Sequence, residues 1–146
     1  MDQIPTISVV CPTYNSEEFI IETLRTVLHQ TLPPLELIVS DDGSTDNTVS
    51  KVETFFKSCT GFHTHLIKNT HKGAGATRNA GILKARGYWI AFLDSDDLWA
   101  SNKINKVMEV ITRDENYNFI FHNEDQLKLD GSKVPLHDFS QFFRSD

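Results

Sequence analysis

The sequence contains few cysteines and no long apolar run. Its two cysteines, Cys11 and Cys59, are too few and too far apart for a disulfide framework or a zinc site. We therefore expect a protein of a reducing, cytoplasmic environment. No apolar stretch approaches the length that spans a bilayer, so no membrane insertion is expected of this segment. Residues 1–5 lack the basic start and the apolar stretch of a signal peptide.

Positive charge is also scarce. The 146 residues include 14 Lys and Arg against 20 Asp and Glu, which gives a formal net charge of −6. Binding of nucleic acid requires a basic surface for the phosphates, so a nucleic-acid partner is not expected. Hydrophobic residues make up 39% of the chain and charged residues 23%, which is typical of a globular protein and not of a disordered chain. We expect a single domain over residues 1–146.

Short runs of branched apolar residues alternate with segments of helical period. Strands are predicted over residues 7–11, 35–39, 63–68, 88–93 and 119–121. The predicted helices cover residues 17–30, the segment that carries Val49, Val52 and Phe56, residues 74–85, and the segment that carries Ile104, Val107, Met108 and Ile111. Asp130 and Gly131 predict the turn of a hairpin. Alternating strands and helices indicate an α/β protein, with a mostly parallel sheet between two layers of helices.

Polar residues gather where the predicted strands end. Residues 12–15 (Pro-Thr-Tyr-Asn) follow the first strand, residues 41–42 (Asp-Asp) the second, and residues 94–97 (Asp-Ser-Asp-Asp) the fourth, while His71, Lys72 and Arg78 come after the third. In sheets of this kind, ligands bind outside the carboxyl ends of the strands. The sequence therefore predicts one ligand site at this edge.

The acidic run at residues 94–97 is the most distinctive of these clusters. Crowded carboxylates repel one another unless a cation neutralises them, and oxygen ligands of this kind suit Mg²⁺ or Mn²⁺ that bridge to substrate phosphates. The alternative is a solvated turn in which Asp97 caps the following helix. That alternative leaves Asp94 and Asp96 unexplained.

The other clusters allow both a functional and a structural interpretation. Asp41 and Asp42 could accept a hydrogen bond from a nucleotide base, or could belong to a turn in which Thr45 or Asp46 caps a helix. Tyr14 could stack on the base or pack over the sheet edge. The glycines of residues 73–81, with Lys72 and Arg78, could hold an anion at a helix start, or the small residues could let that helix approach the sheet.

Four motifs, in this order, resemble family 2 glycosyltransferases: Pro12-Thr13-Tyr14-Asn15, Asp41-Asp42-Gly43-Ser44, Ala76-Thr77-Arg78-Asn79-Ala80-Gly81 and Leu93-Asp94-Ser95-Asp96-Asp97. The resemblance implies a GT-A fold, a Rossmann-like nucleotide-binding unit that takes a nucleotide-sugar, usually a UDP-sugar, with a divalent metal. It also implies transfer to an acceptor hydroxyl with inversion, in the synthesis of surface polysaccharide or glycolipid at the cytoplasmic face of the membrane.

The same resemblance assigns roles to individual residues. It implies that Tyr14 lies against the base and that Asp42, or Asp41, bonds to it, with Pro12 and Asn15 in the same loop. Lys72 and Arg78 would lie near the phosphates. Asp94 and Asp96, on either side of Ser95, would form the DXD motif, with Asp96 as the direct ligand of Mn²⁺ or Mg²⁺.

The catalytic base is not assigned. In the family it lies well downstream, and Glu124 and Asp125 come too early for that role, so the base and the acceptor-binding half are expected beyond residue 146. Phe139, Phe142 and Phe143 suit a connection into further structure, a partner, or an interface between copies. The alternative function is a module that binds a nucleotide-sugar and transfers nothing.

Overall fold

The computed structural model describes residues 5–113, 117–120, 122–128 and 130–137, and for residues 136 and 137 it describes the backbone alone. The elements in chain order are β1 (Ile7–Thr13), α1 (Ile20–Leu28), β2 (Glu36–Asp41), α2 (Thr48–Ser58), β3 (Thr64–Lys68), α3 (Ala74–Lys84), β4 (Trp89–Phe92), α4 (Lys103–Arg113), β5 (Glu124–Leu127) and β6 (Lys133–His137). Within this described part, no helix is long and apolar enough to cross a bilayer. The chain divides into two compact units, Met1–Arg113 and Asp114–Asp146.

The first unit is built on a four-stranded parallel sheet in the order β3-β2-β1-β4. β1 and β2 are buried along their whole length, as expected for central strands covered on both faces. Successive side chains point to opposite faces of a strand, and Val9, Val10 and Cys11 are all fully buried. The predicted parallel α/β sheet flanked by helices is therefore confirmed.

Helix α3 approaches β1 more closely than a side chain at residue 81 would allow. A Cβ atom built on Gly81 would lie 2.4 Å from Cγ1 of Val10. Ser40 of β2 adds a polar link on the same helix, because its hydroxyl donates to the carbonyl of Thr77 at 2.8 Å. The small residues of this helix thus bring Thr77 and the neighbouring Arg78 to the carboxyl edge of the sheet.

The other helices follow the predicted apolar spacing, with differences at their ends. Ile104 and Ile111 of α4 are buried, as their spacing predicts. Helix α1 begins at Ile20 and not at residue 17, because residues 17–19 form a turn that starts at the carbonyl of Ser16. The N-cap of α2 is Asn47, whose side chain makes no capping bond, and not the predicted Thr45 or Asp46. Asp46 lies next to it and accepts a hydrogen bond from the amide of Thr48 at 2.9 Å.

The second unit contains an antiparallel pair, β5 and β6, joined by a turn at the predicted position. Gly131 has φ of +79°, and its amide donates to the carbonyl of Lys128. The predicted strand at residues 119–121 is wrong for residues 119 and 120, which have no regular structure. Residue 121 and the phenylalanines at 139, 142 and 143 lie outside the described residues.

Candidate functional site

The ends of the four strands meet at one edge of the sheet. Thr13 at the end of β1 pairs with Asp41, and Asp41 pairs with Lys68 at the end of β3. On the other side of β1, Val10 pairs with Phe92, the last residue of β4. The loops that carry the predicted site residues therefore leave the sheet side by side, as the topology predicts.

The loops after β1 and β2 are joined by hydrogen bonds. Asn15 has φ of +48°, and its side-chain oxygen accepts from the amide of Thr45 at 2.8 Å. The amide of Asn15 donates to the hydroxyl of Ser44 at 2.9 Å. Pro12, which is also predicted for the donor site, is a buried residue of β1. Asn15 thus holds the two loops together, and Pro12 lies in the strand that supports them.

The carboxylate of Asp41 is engaged within its own turn. One oxygen accepts from the amides of Gly43 and Ser44 at 3.0 and 2.9 Å, and the other accepts from the hydroxyl of Ser44. The side chain of Asp41 is buried. These contacts make Asp41 the residue that shapes the loop after β2.

Asp42 joins the loop after β2 to the start of α3. Its two carboxylate oxygens accept from the amides of Lys72 and Gly73, each at 2.9 Å, and its side chain is 5% exposed. The bond from Lys72 is the main reason that the pKa of Asp42 is lowered, and Thr77, Gly73 and His71 act in the same direction against the effect of burial. Asp42 is therefore a stable carboxylate anion at neutral pH.

Two aromatic rings lie at this junction. The ring centroids of Tyr14 and His71 are 4.5 Å apart, with an angle of 32° between the planes. Nδ1 of His71 lies 2.9 Å from Oδ2 of Asp42. Tyr14 is 45% exposed, and the side chain of the neighbouring Lys72 is exposed as well. The exposed ring of Tyr14 thus lies near the fixed carboxylate of Asp42 and the flexible cationic side chain of Lys72.

Arg78 brings a cation from α3 to the acidic loop. Its Nη2 atom forms an ion pair with Oδ1 of Asp94, and the two side chains are 35% and 51% exposed. Both groups are therefore accessible to a ligand. The contact places a guanidinium, which suits phosphate oxygens, next to the first carboxylate of the acidic loop.

The acidic loop is anchored through its middle residue. The backbone carbonyl of Ser95 accepts from the hydroxyl of Thr23 at 2.9 Å, and the hydroxyl of Ser95 lies 2.7 Å from that of Ser16. Thr23 is fully buried in α1. Ser95 is thus held inward, and Asp94 and Asp96 on either side of it are exposed.

The second acid of the loop has an open carboxylate. Among the residues that the structure describes, the Asp96 side chain has no hydrogen-bond or ion-pair partner, and no group of three or more His, Cys, Asp or Glu residues is arranged to hold a metal ion. Mg²⁺ and Mn²⁺ are commonly bound through one or two carboxylates together with substrate phosphates, so this donor set fits such an ion in the presence of a phosphate ligand.

The electrostatics beneath the loop agree with that fit. Burial is the main cause that raises the pKa of the Cys11 thiol, and the charges of Asp94, Asp96 and Asp97 raise it further. The three carboxylates therefore act together on the end of β1. This concentration of negative charge favours a cation at the site.

Sequence reasoning missed several residues that build this site. Ser16 and Thr23 anchor the acidic loop, yet neither residue type at those positions signals a long-range contact. The sequence identifies His71 only as a basic residue, because its contact with the Tyr14 ring depends on the close approach of two loops. The signal for that approach was Gly43, where a Cβ atom would lie 3.2 Å from the amide nitrogen of His71.

Comparison with known proteins gives concordant results. The family described as Glycosyl transferase family 2 matches residues 8–141. The chain is 39% identical over 118 residues to the UDP-Glc:alpha-D-GlcNAc-diphosphoundecaprenol beta-1,3-glucosyltransferase WfgD of Escherichia coli, a match that covers 80% of this chain and 45% of that protein. The chain thus spans less than half the length of this curated relative.

Solved structures show the same likeness. S. aureus TarS in complex with UDP superimposes with a TM-score of 0.67 at 31% identity, over 74% of this chain and 32% of that chain. The mannosyltransferase PcManGT of Pyrobaculum calidifontis, in complex with GDP-Man and Mn²⁺, gives a TM-score of 0.68 at 30% identity, over 73% of this chain and 32% of that chain. With the family match over most of its length, the chain belongs to glycosyl transferase family 2 and has the GT-A fold of these enzymes.

Proposed function

We propose that this chain binds the nucleotide-sugar donor of a glycosyltransferase, with UDP as the nucleotide and Mn²⁺ or Mg²⁺ as the metal. The observation that carries the proposal is the ion pair of Arg78 with Asp94. It places a guanidinium, which binds phosphate oxygens well, beside the exposed carboxylates of Asp94 and Asp96. The relatives add support, since one is named for UDP-Glc and another is solved with UDP.

The base end of the donor is assigned to Tyr14 and Asp42. An exposed aromatic ring offers a stacking surface for a nucleobase. Asp42 fixes the loop beside that ring through the amides of Lys72 and Gly73. Asn15 and Asp41 support this end of the site, because their side-chain oxygens accept hydrogen bonds from the backbone amides of the loop after β2.

The diphosphate end is assigned to Arg78, Lys72 and the acidic loop. Asp96 would hold the metal directly, and Asp94 would lie next to it, with Ser95 keeping both in place. Bound there, the metal would stabilise the negative charge that develops on the departing diphosphate. Arg78 and Lys72 would supply further positive charge to the same oxygens.

For the whole protein we propose transfer of the sugar to an acceptor hydroxyl with inversion, in surface polysaccharide or glycolipid synthesis at the cytoplasmic membrane face. An acceptor of saccharide or lipid-linked type is suggested by the diphosphoundecaprenol in the name of the E. coli relative. The base that activates the acceptor is assigned to a part of the protein other than this donor site. The alternative, a module that binds the donor without transfer, shares every residue named above.

The test is calorimetric titration of UDP into the chain with Mn²⁺ and then with EDTA. We expect binding that EDTA abolishes, and we expect Asp96→Asn to remove the effect of Mn²⁺. Glu22→Gln, on the exposed face of α1, is the matched control and should bind as the parent chain does.

Two results would decide against parts of the proposal. A folded chain that binds no UDP under either condition would contradict the donor site itself. Binding that is the same with Mn²⁺ and EDTA would remove the metal and Asp96 from the site. Release of a sugar only when acceptor is added would separate the transferase from the alternative binding module.

A further inference from the structure

We propose that Gln30 is a positioning residue of the donor site, and that its side-chain N–H groups fix the segment after Asp96 and so hold the two acids in place for the metal. The inference rests on the proposed function, because it concerns the metal end of that site. Gln30 lies two residues beyond the end of α1 and belongs to none of the four motifs that carry the family resemblance. Its contacts in the folded chain assign it this role.

The side-chain amide of Gln30 is buried and fully bonded. It is 7% exposed. Nε2 donates to the carbonyl of Ala100 at 2.8 Å and to that of Thr26 at 3.0 Å, and Oε1 accepts from the amide of Ile104 at 2.9 Å. The two carbonyls can only accept and the backbone amide can only donate, so these partners allow one orientation of the side chain. Gln30 therefore joins α1 rigidly to the chain that leads from the acidic loop into α4.

Other residues of α1 and its end bind the same segment. The backbone amide of Trp99 donates to the hydroxyl of Thr26 at 3.3 Å, and the hydroxyl of Thr23 donates to the carbonyl of Ser95 at 2.9 Å. Residues 93–102 contain no helix or strand. The course of this segment is thus set by individual bonds to α1, and Gln30 supplies the most buried link at its far end.

The acids project from a turn that is held on both sides. The amide of Asp97 donates to the carbonyl of Asp94 at 3.1 Å, and the amide of Leu93 donates to the carbonyl of Val10 in β1 at 3.0 Å. Carboxylates repel each other, which favours a loop in which Asp94 and Asp96 move apart. The bonds to β1 before the turn and to α1 after it oppose that movement, so less ordering is needed when a metal binds.

The two ends of the Gln30 amide have different tasks. Oε1 completes the start of α4, because the first amides of a helix have no partner within it and Ile104 is the second residue of α4. Nε2 binds Ala100, which lies four residues after Asp96, and so acts on the loop. A variant that keeps the acceptor and loses the N–H groups therefore separates support of α4 from positioning of the acids.

The test compares Gln30→Glu and Gln30→Met with the parent chain in calorimetric titrations of UDP at a series of Mn²⁺ concentrations. The carboxylate of Gln30→Glu still accepts from the amide of Ile104, at a helix start that favours negative charge, but it cannot donate to Ala100. Gln30→Met has a side chain of similar length and makes none of the three bonds. We expect both variants to lower the apparent Mn²⁺ affinity by about tenfold.

Two controls separate positioning from a general loss of stability. Val52→Ala removes part of a fully buried side chain of α2, outside the site, so it should lower the urea midpoint and leave the apparent Mn²⁺ affinity unchanged. Gln126→Met, at an exposed position of β5, should change neither quantity. Urea unfolding of each variant shows that it is folded, and the two Gln30 variants support each other if one of them is not.

Three results would overturn the inference and leave the donor site intact. One is a parent-like Mn²⁺ affinity in both Gln30 variants. Another is a loss in Gln30→Met but not in Gln30→Glu, since support of α4 through Ile104 would then be sufficient. The third is an equal loss in Val52→Ala, because the metal affinity would then follow stability alone. A parent chain that binds no UDP, or binds it equally without Mn²⁺, would instead refute the proposed metal-dependent site and this inference with it.

Discussion

The hydroxyl of Thr23 donates to the backbone carbonyl of Ser95, and this bond ties the acidic loop after β4 to the buried face of α1. Ser95 lies between Asp94 and Asp96, so any displacement of its carbonyl moves both carboxylates. A second contact, between the hydroxyls of Ser95 and Ser16, comes from the turn before the same helix. The position of the acids is thus set by residues that do not themselves face the ligand.

We predict that Thr23→Val weakens the contribution of Mn²⁺ to UDP binding. Valine has nearly the same shape but no hydroxyl, so the carbonyl of Ser95 loses its donor. The expected loss is about tenfold in apparent metal affinity and about 1 kcal/mol in the free energy of unfolding. Titration of Mn²⁺ at fixed UDP, with urea unfolding in parallel, measures the two effects separately.

Thr23→Ser keeps the hydroxyl and should recover most of the metal affinity. Thr54→Val, at an exposed site on α2, serves as the control for loss of a threonine hydroxyl. Equal metal affinity in Thr23→Val and the parent chain would show that the anchor does not position the acids.

A second prediction concerns the contact between α3 and β1. A Cβ atom on Gly81 would lie 2.4 Å from Cγ1 of the fully buried Val10, so Gly81→Ala must push the helix from the sheet. We expect a loss of about 1–3 kcal/mol in the free energy of unfolding. Gly75→Ala in the same helix meets no atom within 4 Å and should gain about 0.5–1 kcal/mol. Urea unfolding of the two variants should give opposite signs, and a loss in both would contradict the packing argument.

The sequence predicts the fold well because the apolar runs of the strands and the polar residues that follow them are local signals. β1 and β2 are apolar runs, and their loops carry the polar residues that the parallel topology brings to one edge. The false strand at residues 119–120 shows the limit of such signals. Short apolar runs without a periodic context do not specify whether a neighbouring strand is available.

The roles of individual site residues are less accessible to sequence. Asp41 and Asp42 are adjacent acids, yet one shapes its own turn and the other holds the loop around His71. The two aspartates have different roles only because the folded chain gives them different contacts. The anchoring of Ser95 by Thr23 joins residues 72 positions apart, and no local pattern encodes it.

The third prediction concerns pH and a carboxylate at the opposite edge of the sheet. Glu36 is fully buried, and it accepts from the hydroxyl of Ser8 at 2.7 Å and from the backbone amide and guanidinium of Arg86 at 2.7 and 3.1 Å. Nε2 of His65 lies 3.5 Å from the same carboxylate. Burial acts to raise the pKa of Glu36, but the bonds from Ser8 and Arg86 together lower it below its ordinary value of 4.5.

A carboxylate with a lowered pKa in the folded state stabilises the fold above its ordinary pKa, and this contribution is lost as the pH falls through the lowered value. Glu36→Gln keeps the shape of the side chain but cannot titrate. We therefore expect the variant to be less stable than the parent chain at neutral pH, and its free energy of unfolding to fall less steeply as the pH drops below about 5. Urea unfolding at several pH values measures both slopes, with the exposed Glu18→Gln as the control. Parallel profiles for Glu36→Gln and the parent chain would mean that the contacts with Ser8 and Arg86 do not favour the ionised carboxylate.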